Sequence, residues 1–137
     1  MRTVIVEDQE VVAAHLKRTI EELGHPVVGM AASFADAVAM LMRDPAAELA
    51  FIDLVLNDDV GDPSGALLVD LAARRAIPAV VTTGLSPIPD SLNGVALLTK
   101  PFSVEQLATV LASIPRRRPG LPARERRLRE MLSRLRS

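Results

Sequence analysis

The stretch LAFID, residues 49–53, sets four apolar residues in a row and ends on a carboxylate. A run this short, without polar alternation, reads as a strand buried on both faces, as in the interior of a parallel sheet. Four comparable runs lie around it: TVIVE (3–7), PVVGMA (26–31), PAVVTT (78–83) and VALLT (95–99). Between them apolar residues recur at helical spacing, with Val12, Leu16, Ile20 and Leu23, then Phe34, Val38, Leu41 and Met42, then Leu68, Leu71 and Ala72. A last stripe, Val104, Leu107, Ala108 and Leu111, follows the fifth run, with Ser103 and Gln106 as an N-cap signature before it. Repeated strand-then-helix units imply a doubly wound α/β fold, a five-stranded parallel sheet with right-handed crossovers and helices on both faces. The crossover GLSPIPDSLNG (84–94) contains Pro87 and Pro89, which predict a short or distorted helix there.

A chain of 137 residues allows one core and leaves little for a second domain. Apolar residues make up 49% and charged residues 24%, a balance that supports a globular core rather than disorder. With no Trp, no Tyr and three Phe, the aromatic platforms of single-strand nucleic-acid binders cannot be assembled. The absence of Cys removes disulfides and thiolate chemistry, and two distant histidines, His15 and His25, do not make a zinc site. No apolar stretch approaches the roughly 20 residues of a membrane span, and the N-terminus lacks a signal-peptide core, so a soluble, cytoplasmic protein is expected.

The net charge of -1 hides an asymmetry. Residues 1–115 carry 7 Lys and Arg against 15 Asp and Glu, whereas residues 116–137 carry 9 Arg against 2 Glu. An acidic body thus bears a basic tail, and the boundary falls at PRRRPGLP, where Pro115, Pro119, Gly120 and Pro122 favour an extended linker. The expected division is a domain over 1–114 and a linker with a basic amphipathic helix over 115–137, its stripe formed by Leu128, Met131, Leu132 and Leu135.

In doubly wound sheets ligands bind at the carboxyl ends of the strands. Those ends here carry Glu7 and Asp8, then Asp53, Thr83 and Lys100. Three crowded carboxylates repel one another unless a cation sits among them, and an all-oxygen donor set with open water positions suits Mg²⁺. Thr83 and Lys100 are then placed to meet an anionic group. Any one of these residues alone reads as a cap or a solvated surface group; their shared position is what points to a site.

The ordered set VIVEDQE, the Asp of LAFIDLVL, the Thr-Gly of VVTTGLS and the Lys-Pro of LLTKPFS resembles the receiver domain of two-component response regulators over about residues 2–114. The resemblance implies a flavodoxin-like sheet of order 2-1-3-4-5, with Asp53 as phosphoacceptor. It implies that Glu7, Asp8, Asp53 and the backbone carbonyl of Val55 hold Mg²⁺, that Lys100 pairs with the phosphoryl group before a cis bond to Pro101, and that Thr83 binds the phosphoryl group in the activated state. Gly84 leaves room for a phosphodonor. The implied partners are a sensor histidine kinase or histidine phosphotransfer protein and a downstream protein. The implied chemistry is autocatalysed phosphoryl acceptance and slow hydrolysis, not enzymatic turnover of a metabolite.

Three departures qualify the match. Leu97 stands where the family often has a switch aromatic, and with the Thr-Gly pair and the proline-broken crossover this is similar to alphaproteobacterial single-domain receivers marked by a Phe-Ala-Thr-Gly motif, which kinases of the HWE or related class serve. Only Thr83 and Gly84 match that motif, after Val81 and Thr82. The loop LVLNDDVGDPSG (54–65) is longer than usual, with Asn57 where Pro is common and Asp58, Asp59 and Asp62 adding negative charge. The tail is too small for a helix-turn-helix, so no dedicated DNA-binding domain is expected. Packing on the body, self-association as a homodimer or contact with a partner are favoured for it over a membrane surface or nucleic acid. Of the rival classes, a haloacid-dehalogenase-type phosphatase wants a second Asp where Val55 stands, and a flavodoxin-like cofactor binder wants glycines where Glu7 and Asp8 stand. An adaptor acting through the Arg-rich tail is the remaining alternative.

Overall fold

The computed structural model describes residues 1–43, 47–56, 65–84 and 96–115, together with Met131, Leu132, Arg134 and Leu135. The elements in chain order are β1 (Thr3–Val6), α1 (Glu10–Glu22), β2 (Val27–Ala31), α2 (Phe34–Leu41), β3 (Leu49–Asp53), α3 (Gly65–Arg74), β4 (Ala79–Thr83), β5 (Ala96–Thr99) and α4 (Val104–Ser113). The strands form one parallel sheet of order β2-β1-β3-β4-β5. This is the expected doubly wound, flavodoxin-like architecture.

Period-two alternation in the strands divides the core into two layers. Val4 and Val6 of β1, Ala50 and Ile52 of β3 and Val81 of β4 pack with Met40 and Leu41 of α2 and Leu68 and Ala72 of α3. Ile5, Leu49, Phe51 and Val80 point the other way, onto Leu16 and Ile20 of α1 and Leu107 and Leu111 of α4. Both faces of β1 and β3 are therefore dry, which is why their sequences run apolar without interruption.

The reading of β2 as a strand buried on both faces does not hold. At the sheet edge, Val28 and Met30 remain 45% and 44% exposed, because one flank of the strand lacks a neighbour to complete its cover. Two helix stripes also shift. Met42 caps the C-terminus of α2 and is exposed, while Ala37 and Met40 take the buried positions; in α4, Val104 is exposed and Leu107 and Leu111 carry the contact. The capping box of α4 forms as expected: Gln106 N–H donates to Ser103 Oγ at 3.1 Å, and Ser103 N–H donates to Gln106 Oε1 at 2.8 Å. The proline-bearing crossover after Gly84, the acidic residues Asp58, Asp59 and Asp62, and Leu128 lie outside the described residues. Met131, Leu132 and Leu135 are helical and exposed.

Phe51 is fully buried in the centre of the sheet. Replacing it by Ala leaves a cavity between β3 and the α1/α4 layer, and Phe51→Ala is expected to lower unfolding free energy by about 3–5 kcal/mol in urea titrations.

Candidate functional site

Parallel strands deliver their carboxyl ends to one edge of the sheet, and the candidate residues arrive there from four strands. Glu7 follows β1, its N–H donating to the Ala31 carbonyl at 3.0 Å. Asp53 is the last residue of β3 and Thr83 the last of β4, both buried. Lys100 follows β5, its N–H donating to the Thr83 carbonyl at 2.8 Å, and its bond to Pro101 is cis. From there its ammonium donates to Glu7 Oε1 at 2.8 Å and to Asp53 Oδ2 at 3.1 Å. The structure thus brings Glu7, Asp53 and Lys100 into one hydrogen-bonded cluster.

Asp8 is partly exposed at its margin. One carboxylate oxygen from each of Glu7, Asp8 and Asp53 lies within 4.8 Å of the others. Glu7 Oε2 is buried and has no hydrogen-bond donor among the described residues. Burial, then the neighbouring Asp53 carboxylate, pushes Glu7 from the ordinary 4.5 up to about 7, against the opposing pull of Lys100. Burial alone lowers the Lys100 pKa, but the two carboxylates outweigh it and hold the ammonium above its ordinary value. Such a cluster is electron-rich at Glu7 and Asp53 and still short of positive charge.

Val55, exposed between the buried Leu54 and Leu56, donates its N–H to Asp53 Oδ1 at 3.2 Å. Beside Gly84 a Cβ would meet nothing within 4 Å among the described residues. Leu97 lies half-buried on the α2/α3 side of β5. His15 is exposed on α1, and His25 Nδ1 lies 2.9 Å from the N-terminal amine, away from the strand ends. Gly65, which the sequence pattern does not mark, donates its N–H to the Leu54 carbonyl at 3.0 Å, next to Asp53 in the chain. Only its place at the end of the loop after Asp53 hinted at that contact.

No family model matches the chain. It is 27% identical over 131 residues to the transcriptional regulatory protein PhoP of Escherichia coli O157:H7, covering 88% of this chain and 55% of the relative. It is 26% identical over 126 residues to the virulence transcriptional regulatory protein PhoP of Salmonella typhimurium strain LT2, covering 88% and 54%. The chain spans about half the length of the curated relatives it matches. Among solved structures, SdrG from Sphingomonas melonis Fr1 superposes with a TM-score of 0.69 at 28% identity, covering 82% of this chain and 93% of SdrG. The response regulator PhyR from Brucella abortus does so with a TM-score of 0.68 at 25% identity, covering 81% and 46%. At 22% identity, the PhyR receiver domain from Erythrobacter litoralis shares the fold, with a TM-score of 0.69 and coverage of 88% and 95%. The homologues and structural neighbours of this chain are response-regulator receiver domains. The particular likeness to SdrG and PhyR is consistent with the alphaproteobacterial single-domain type.

Because Glu7 binds its proton more tightly in the fold than in the unfolded chain, its contribution to stability is complete below pH 4.5 and is lost as pH rises through about 7. In metal-free buffer Glu7→Gln is expected to remove this dependence. Relative to wild type, it gains up to about 3 kcal/mol between pH 4.5 and 8 in denaturant titrations.

Proposed function

We propose that the chain acts as a single-domain response regulator that accepts a phosphoryl group on Asp53 from a sensor histidine kinase or a histidine phosphotransfer protein. The observation that carries this reading is the strand-end cluster, in which Lys100 bonds both Asp53 and Glu7 while a buried Glu7 oxygen lacks a donor among the described residues. Three carboxylates, each with an oxygen within 4.8 Å of the others, and a buried Glu7 oxygen without a donor among the described residues fit a hard divalent cation. Glu7, Asp8 and Asp53, with the backbone carbonyl of Val55, would hold Mg²⁺. When bound, it supplies positive charge that offsets the crowded carboxylates and the charge on phosphoryl oxygens.

The reaction requires little from the protein beyond alignment and charge. An Asp53 carboxylate oxygen attacks the phosphorus of the phosphohistidine, the O–P bond forms, the P–N bond breaks, and the electron pair leaves on the donor's imidazole. Lys100 gives up contact with the carboxylates to pair with a phosphoryl oxygen. Thr83 donates its hydroxyl to another, and Gly84 leaves the approach open. Water later hydrolyses the acyl phosphate, so the protein is a signalling module rather than a metabolic enzyme. With Leu97 in place of an aromatic, movement of Thr83 does not couple to a ring on β5, and the signal passes by other surface changes to a downstream protein. The setting is cytoplasmic.

In this reading residues 1–114 are the receiver domain, and 115–137 a linker and basic helical tail outside the chemistry. A second reading, an adaptor that uses the tail to bind a partner, nucleic acid or membrane surface under control of the receiver body, is supported by the exposed Met131, Leu132 and Leu135 beside the Arg-rich segment.

Incubation with Mg²⁺ and a small acyl phosphate is expected to add one phosphoryl group by intact mass, and Asp53→Asn to add none, because an amide cannot form the acyl phosphate. Equal mass gain in both proteins would refute the assignment. Truncation after Pro115 should leave a folded, more acidic protein that still takes up the group; failure of the truncated chain to fold would make the tail part of the core.

A further inference from the structure

The described residues next to Asp53 are held by backbone contacts. Leu54 N–H donates to the Thr82 carbonyl at 3.0 Å, and the Leu54 carbonyl accepts from Gly65 N–H at 3.0 Å. Leu54 and Leu56 are buried in the α2/α3 layer. Val55 between them is turned to solvent, with its N–H on Asp53 Oδ1. A Cβ at position 65 would overlap the Asp53 carbonyl oxygen and lie 2.5 Å from Leu54 Cα and 2.6 Å from the Leu54 oxygen. All three are backbone atoms, which cannot swing aside as the end of a flexible side chain can. Only glycine lets α3 begin this close to the strand that ends at Asp53.

We propose that Leu54, Leu56 and Gly65 form a clasp that positions the Asp53 carboxylate and the Val55 backbone for divalent-cation binding. None of the three carries a polar side chain, so they act as positioning residues. The two leucines fix the strand exit by their burial in the α2/α3 layer, and Gly65 adds the backbone contact from the start of α3. The proposal rests on the reading of Glu7, Asp8 and Asp53 as a Mg²⁺ site.

The test compares full-length wild type with Gly65→Ala, Leu56→Ala and Val69→Ala, the last a buried position of α3 in the same layer but outside the clasp. Each is titrated with Mg²⁺ by calorimetry at a temperature where its melting curve shows it fully folded. Amide hydrogen exchange at Val55 is measured without metal. Gly65→Ala is expected to weaken Mg²⁺ binding about tenfold or more, as loss of a ligand-orienting contact does, and Leu56→Ala several-fold. Both should speed exchange at Val55. Val69→Ala should lower the melting temperature while leaving Mg²⁺ affinity and Val55 exchange as in wild type. Wild-type affinity and exchange in folded Gly65→Ala and Leu56→Ala would overturn the clasp. If Gly65→Ala does not fold, the comparison of Leu56→Ala with Val69→Ala decides. If wild type itself binds no Mg²⁺, the cation reading fails, and Val55 exchange alone decides whether the clasp holds the backbone.

Discussion

Two carboxylates and one ammonium, drawn together where three strands end, constrain everything else at this edge of the sheet. Glu7 and Asp53 are 4% and 6% exposed, and two buried negative charges side by side are costly unless compensated. Lys100 reaches both with hydrogen bonds of 2.8 and 3.1 Å. Its compensation is incomplete: burial and the neighbouring Asp53 raise Glu7 to about 7, and Glu7 Oε2 has no donor among the described residues. The fold therefore keeps a carboxylate cluster that is short of positive charge.

Such an arrangement demands a rigid frame, and the parallel sheet supplies it. Glu7, Asp53 and Lys100 come from β1, β3 and β5, so no local segment could assemble them. Each is anchored by backbone pairing: Glu7 N–H on Ala31, Leu54 N–H on Thr82, Lys100 N–H on Thr83. Apolar layers on both sheet faces hold these registers, with Phe51 and Ile52, the residues before Asp53, pointing into opposite layers.

Edge positions obey different rules. β2 and β5 each pair on one side only, and their exposed residues reflect partial cover rather than a failure of the strand pattern. Neither edge contributes its own strand residues to the charged cluster, although β5 delivers Lys100 immediately beyond its end.

How much of this was legible beforehand follows from the range of each interaction. Uninterrupted apolar runs such as LAFID, and helical spacing such as Leu107 to Leu111, report burial directly, so strand order aside, the layered architecture could be read from the chain. The capping box at Ser103 and Gln106 is local and was equally legible. Residue type and position at strand ends marked Glu7, Asp8, Asp53, Thr83 and Lys100, because parallel strands share one carboxyl edge. The sequence could not state that Lys100 bonds both Glu7 and Asp53, that burial shifts Glu7, or that Val28 and Met30 remain exposed, since these depend on which strands are neighbours. Nor could it single out Gly65. A glycine signals permissive space in any sequence, and only the tertiary approach of α3 to the backbone of Asp53 and Leu54 shows that the space is absent.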